Sequence, residues 1–282
     1  MLLFRRFSIQ NNELCPCGSG KLFNACCKEK KDSPRPRSKK PPEVQIMEMM
    51  RKSMVKCCLH PDKKNCKGII KEAHALQNNK IISLLAGKEK HVYMLNPKKK
   101  PILLPLENGK YDSIIEMDYV GVNSATTETC FCSEHDDKVF SIIEKGAPDF
   151  DENSDEMKFI YAYKAFIFEY YKQWISLSIF RNNFSKYPKT FQQKEMIAMY
   201  RMLQMKMDEF EPIKIHFDNE ILAGTYNGVE TCVVKIPGQL KFANFSYIAP
   251  PFDLNGRKIR NIKKGIMHRL AITVIPEQKI LI

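Results

Sequence analysis

No apolar run in this chain approaches the roughly 20 residues a helix needs to span a bilayer, so membrane passage by such a helix is excluded. The opening stretch, MLLFRRFSIQNNELC, has neither the apolar centre nor the small-residue cleavage site of a secretory leader. A cytoplasmic location is therefore expected, in a compartment that keeps thiols reduced. Acidic residues are scarce in the first 110 positions, where nine Asp and Glu face 24 Lys and Arg. Residues 111–282 carry 23 against 21, so the whole formal surplus of +13 comes from the first two-fifths of the chain. Cysteine is nearly absent from the rest: nine of ten lie between Cys15 and Cys132, and Cys232 stands apart. EF-hand spacing and internal repeats are also missing.

A basic half joined to a neutral half calls for an anionic partner, most simply nucleic acid or the ribosome, unless the lysines merely keep the chain in solution. Residues 28–42, KEKKDSPRPRSKKPP, hold seven Lys or Arg and no apolar side chain except proline. Such a segment buries too little to offset its ordering entropy and reads as a semi-extended linker, taken as 29–42.

Beyond it, VQIMEMMRKSMVK (44–56) has helical apolar spacing. HVYMLN (91–96) and PILLPL (101–106) read as strands around the basic turn Lys98–Lys100. The acidic stretch DFDENSDE (149–156) reads as a boundary, with Asn153 and Glu156 pairing as a helix start. A helix follows over 157–182, with Phe159, Tyr163, Phe166, Tyr170 and Trp174 on its core stripe. A second is expected over about 191–210, with Met196, Met199, Met202 and Met205 as its core face. From Pro212 the pattern changes to short strands: IKIHF, ETCVVKI, ANFSYIA, HRLAITVI and KILI.

The stretch CPCGSGKLFNACC (15–27) offers two readings. Its GSGK fails as a phosphate loop. Cys15 stands where the first glycine should be, Leu22 follows the lysine in place of Ser or Thr, and NNELCP is no strand. A metal site suits it better. Cys15-Pro-Cys17 places two thiols on a tight turn, Gly18 and Gly20 give the backbone freedom, and Cys26-Cys27 can close a tetrahedral thiolate set. This CxC-x8-CC pattern closely resembles the SEC-C motif, a small zinc-binding element first known from the bacterial preprotein translocase motor and carried by many unrelated bacterial proteins. The resemblance implies that Cys15, Cys17, Cys26 and Cys27 bind zinc and that the element can dock a protein partner or ribosome.

A second constellation runs Cys58-Leu-His60-x5-Cys66, then His74, then Cys132-Ser-Glu-His135-Asp136. Two knuckles separated by a β-rich insertion are the plan of a treble-clef finger, with Cys58, Cys66, Cys132 and His135 as ligands. His60 competes with Cys58 for the first position, Cys57 is a spare thiol, and Cys130 reads as packing. The stretches KEAHALQ and CFCSEHD resemble HNH-type nucleases, and over roughly residues 57–145 the chain also resembles uncharacterised bacterial proteins with a C…C…AH-x-x-Q segment followed by FC-x-x-HD. That resemblance implies His74 as general base beside a Mg or Mn ion, with Asp136 or His91 assisting metal binding. The asparagine and final helical histidine of the HNH pattern are not evident; Asn123 is the available stand-in. The other reading makes His74 a zinc ligand or a hydrogen-bonded structural group. Lys63, Lys64, Lys67, Lys71 and Lys80 surround this region and would contact phosphates.

The expected architecture is α+β: a tethered zinc knot (1–28), the linker (29–42), a treble-clef-like zinc domain (43–148), and helices with an antiparallel sheet (149–282). About two zinc ions per chain are expected. The expected role is nucleic-acid engagement, with HNH-like hydrolysis in phage defence or on a mobile element as its enzymatic form. The alternative is a zinc-scaffolded adaptor that docks a protein or ribosomal partner.

Overall fold

A computed structural model describes residues 8–34, 48, 55–76, 81–95, 102–105, 111–114, 116–144, 150–238, 240–259 and 269–276. The helix expected over 44–56, the Lys98–Lys100 turn, Lys80, His268 and the terminal KILI fall wholly or mostly outside them. The architecture is α+β. Its contacts group into two units, each assembled from separate stretches of chain: Met1–Val55 with Tyr170–His216, and Lys56–Glu169 with Phe217–Ile282.

In the second unit, strand β1 (Ile70–His74) pairs antiparallel with β6 (Thr127–Cys132), which runs directly into helix α1 (Ser133–Phe140). Between β1 and β6 lie two further antiparallel pairs, one nested inside the other. β2 (His91–Leu95) pairs with β5 (Met117–Gly121), and β3 (Ile102–Pro105) pairs with β4 (Tyr111–Ile114). β2 and β3, expected on either side of one turn, therefore do not pair with each other. Buried Phe131, Phe140 and Tyr163 interlock, with the Phe131 and Phe140 rings 5.1 Å apart edge to face. That cluster fastens β6 and α1 to helix α2 (Asp155–Lys186). Lys164 is buried there as an ion pair with Glu144, its ammonium 4.9 Å from the Phe140 ring centre.

Helix α2 begins one residue later than the Asn153 pairing predicts. The Ser154 hydroxyl accepts the Met157 N–H at 3.2 Å and caps the first turn, while the Asn153 N–H turns back to Asp151. Its expected stripe is buried through Phe159, Tyr163, Phe166 and Tyr170. Helix α3 (Lys194–Ala223) corrects two expectations. Its core face is Ile197, Tyr200, Phe210 and Phe217, while Met199 and Met202 are exposed. It also continues through Pro212, so IKIHF is helix rather than strand. Pro212 is exposed, and the proline's missing N–H falls on the solvent side where water can serve the orphaned carbonyl. Ile213 and Phe217 are four apart on the inner side, and Ile215 between them is exposed. The alternation that imitates a strand is an accident of that spacing.

ETCVVKI (230–236) is exposed chain without strand pairing. ANFSYIA and HRLAITVI do supply strands, β7 (Asn244–Ile248) and β8 (Leu270–Val274), paired antiparallel. Phe245 of β7 packs with buried Leu76, Ile81, Ile82 and Ala125.

The first unit corrects the picture of a tethered knot. Cys15, Phe23 and Cys27 are buried in one cluster with Leu177, Phe180 and Phe184 of α2 and Ile197 and Tyr200 of α3. The segment after the knot, expected to be linker, is fastened as far as Ser33. Lys30 Nζ donates to the Ser185 carbonyl, Ser33 N–H to that of Lys186, and Lys189 Nζ to that of Lys28. The Asp32 carboxylate accepts the Lys189 and Thr190 N–H groups and the Thr190 hydroxyl, capping the helical turn Pro188–Phe191. Composition alone missed this because Asp32 reads as a polar linker residue until its helix terminus is present. Residues 35–42 of the linker lie outside the described residues.

Candidate metal centres

Four thiols converge in the knot. Phe23–Ala25 forms a single 3-10 turn that brings Cys26 and Cys27 back beneath the Cys15–Cys17 loop. The Cys15 N–H is tied to the Lys21 carbonyl, and Gly18 takes a positive φ of 78°. A β-carbon at Gly18 would also meet Arg181 Cδ at 3.0 Å. Cys17 and Cys26 Sγ are 3.5 Å apart, and Cys26 and Cys27 Sγ are 3.7 Å apart. A tetrahedral ion with bonds of about 2.3 Å needs sulfur–sulfur edges of roughly 3.8 Å, so the spacing fits zinc. Burial pushes the Cys15 thiol up to about 11 and raises that of Cys27. Burial also opposes ionisation of Cys17, but hydrogen bonds from Ser19, Cys15 and Cys26 outweigh it and bring that thiol down to about 7.

The second centre joins residues far apart in sequence. Cys58 and Cys66 lie on the loop before β1, Cys132 ends β6, and His135 sits in the first turn of α1. Pairing of Ile70 with Cys132 brings the two ends together. His135 Nδ1 lies 3.5 Å from Cys58 Sγ, 3.6 Å from Cys66 Sγ and 3.3 Å from Cys132 Sγ. One ring nitrogen cannot hydrogen-bond three thiols at once. Bonds of about 2.3 Å to sulfur and 2.0 Å to nitrogen give a sulfur–nitrogen edge of roughly 3.5 Å, which matches all three distances. Burial opposes the Cys132 thiolate, yet backbone N–H groups of His135 and Lys67 and the neighbouring thiols leave its pKa below the ordinary value. Burial also lowers His135, favouring the neutral imidazole a metal requires. Four protein ligands close each tetrahedron, so zinc bound at either centre would cross-link the chain.

His60 does not join the ligands. Its ring stacks on that of His135, centroids 3.8 Å apart and planes 11° apart, and its Nδ1 accepts the Asp62 N–H. Burial, then the neighbouring His135, depresses it to about 4. Cys57 is half-buried beside β6, its N–H bonded to Thr129, and Cys130 is fully buried. Gly68 was missed by sequence reasoning. Its φ is 75°, and a β-carbon there would lie 2.1 Å from Ser133 Oγ. A glycine two residues after a ligand cysteine was the available signal for that turn.

Among the described residues, His74, His91 and Asp136 fall in no group of ligating side chains. His74 pairs with Thr127, four residues along β1 from Ile70, a rise of roughly 13 Å from the metal end of the ladder. Its Nδ1 donates to the Ala125 carbonyl at 2.9 Å. His91 Nδ1 donates to the Glu89 carbonyl at 2.6 Å, and Asp136 is buried in α1. Asn123 is exposed in the turn before β6, and His216 is exposed on α3. Lys63, Lys64 and Lys67 are exposed on the knuckle loop, where Lys63 Nζ also donates to the Cys58 carbonyl. Lys71 takes its place in β1 opposite Phe131.

The SEC-C motif family model matches residues 12–29, and the chain carries that motif. With the second cysteine-rich group, this supports a zinc-binding protein. No curated protein and no solved structure matches the chain. No helix among the described residues is long and apolar enough to cross a membrane.

Proposed function

We propose that this is a cytoplasmic zinc-scaffolded protein that engages nucleic acid through its basic half, with the second centre built as a treble clef. One observation carries the reading: Lys63, Lys64 and Lys67 stand exposed on the very loop that Cys58 and Cys66 would close around a metal. Metal closure would turn a floppy basic stretch into a rigid array of ammonium groups. Binding to a labelled duplex and a labelled single strand, measured across salt concentrations, tests it. Replacing the three lysines by glutamine should flatten the slope of log affinity against log salt by roughly 2–3. An unchanged slope would remove the loop from the interface.

A hydrolytic reading has one specific observation in its favour. The bond from His74 Nδ1 to Ala125 leaves Nε2 of the neutral ring as a proton acceptor. Among the described residues, no group of ligating side chains includes His74, His91 or Asp136, which such chemistry would use to hold a Mg or Mn ion. Incubation with plasmid and either ion, with His74→Ala as control, decides it; equal cutting by the variant would dismiss His74 as base. The adaptor reading loses ground because the face of the knot around Cys15, Phe23 and Cys27 is covered by the chain's own helices.

A further inference from the structure

The ribbon of β2 and β5 carries three aromatic rings in a row. Tyr93 lies directly opposite Tyr119 in the ladder, their ring centres 4.9 Å apart. His91, two residues before Tyr93 and therefore on the same face, stacks on Tyr119 at 4.8 Å. Tyr93 is 70% exposed and Tyr119 42%, so a ring surface that would gain by contact faces water.

The rings are held in place without being covered. The Tyr119 hydroxyl donates to Glu89 Oε2 at 2.7 Å, and His91 Nδ1 donates to the carbonyl of the same Glu89. Across from His91 stands Gly121, where a β-carbon would come within 3.6 Å of the imidazole Nε2. Any longer side chain there would contest the space the ring occupies. Rings fixed before a partner arrives lose little conformational freedom on binding.

We propose that the His91–Tyr119–Tyr93 ladder is a stacking platform for unpaired bases of single-stranded nucleic acid. The proposal rests on the nucleic-acid reading above and names its substrate class. Every base offers a π-face to an exposed ring, whereas a duplex keeps its base faces stacked on one another. Charge selects a polyanion over a neutral ligand with a flat face. Exposed Lys88 and Lys90 flank Glu89 at one end of the ribbon, and β2 lies within the first 110 residues, which carry the chain's whole positive surplus. The platform supplies contact with bases, and the lysines supply contact with phosphates.

The test is fluorescence anisotropy with the full chain loaded with zinc, a labelled oligothymidylate and a labelled duplex, over the same series of salt concentrations. Tyr93→Ala and Tyr119→Ala should each weaken oligothymidylate binding roughly tenfold and leave the salt slope unchanged. Tyr93→Phe, which keeps the ring, should bind within about twofold of wild type. Unchanged zinc content and circular dichroism confirm that each variant is folded. The platform is overturned if wild type does not bind oligothymidylate, or if both alanine variants bind it as wild type does. It is equally overturned if the tyrosines matter as much for duplex. Should the knuckle-lysine variants bind normally while the tyrosine variants fail, the knuckle interface falls and the platform stands.

Discussion

The imidazole of His60 lies flat against that of His135, 3.8 Å away and nearly parallel. His60 thus fixes the plane of the one nitrogen ligand in a centre whose other three are thiols. His60→Ala should leave all four ligands present but weaken zinc at this centre by about 10–100-fold, the range seen when groups that orient metal ligands are removed. Competition with a chromogenic chelator should then show one fast-releasing and one unchanged zinc. Unaltered release would make the stack incidental.

Metal content should be two zinc per chain. Cys132→Ser and Cys27→Ser should each lose one, from different centres. Because burial holds the Cys15 and Cys27 thiols protonated at neutral pH, loading the knot should release protons, and its zinc affinity should rise with pH. A weakly buffered indicator titration measures the protons directly. Loading without acidification would contradict the thiol assignment.

Asp32→Ala removes the carboxylate that accepts the Lys189 and Thr190 N–H groups. The loss of that cap should cost about 1 kcal/mol of the first unit's stability. Denaturant unfolding followed by helix signal checks it, with Asp32→Asn expected to retain most of the effect. An unchanged midpoint for the alanine variant would mean that the segment after the knot contributes nothing.

Gly68→Ala should destabilise the second centre by at least about 1 kcal/mol, because alanine is strained at positive φ and its β-carbon would displace the Ser133 hydroxyl. Combining it with Ser133→Gly, which removes that hydroxyl, should recover the steric part and leave the backbone part. Calorimetry with zinc present separates the two.

Alkaline pH should unfold the second unit through its tyrosines. Burial, with a smaller contribution from Glu144, raises Tyr161 to about 12, and burial raises Tyr247 to about 12. A folded pKa above the unfolded value of about 10 means that their stabilising effect is complete below pH 10 and lost as pH rises toward 12. Ultraviolet titration of tyrosinate should show this delayed group titrating together with loss of structure. Midpoints near 10 would show the rings to be solvated.

The knot's four cysteines were legible because their ligands lie within thirteen residues, close enough for local turns to gather them. The stripe through Phe159, Tyr163 and Phe166 was legible for a similar reason, since helical period is a short-range property. Pro212 was misread because its effect depends on which side of the helix faces water, and the methionine face was misread because spacing does not say which of two possible stripes meets the core.

By itself, the sequence determined that thiols cluster, that positive charge gathers in the first two-fifths, and that long helices follow. Tertiary structure alone decided that Cys58 rather than His60 joins Cys66, Cys132 and His135, because 77 residues separate Cys58 from His135 and strand pairing must close that gap. It also decided that the knot is packed against helices instead of tethered beside them. Burying Cys15, Phe23 and Cys27 requires α2 and α3 to present Phe180, Phe184 and Ile197 at one place, and no local pattern near residue 15 encodes that surface.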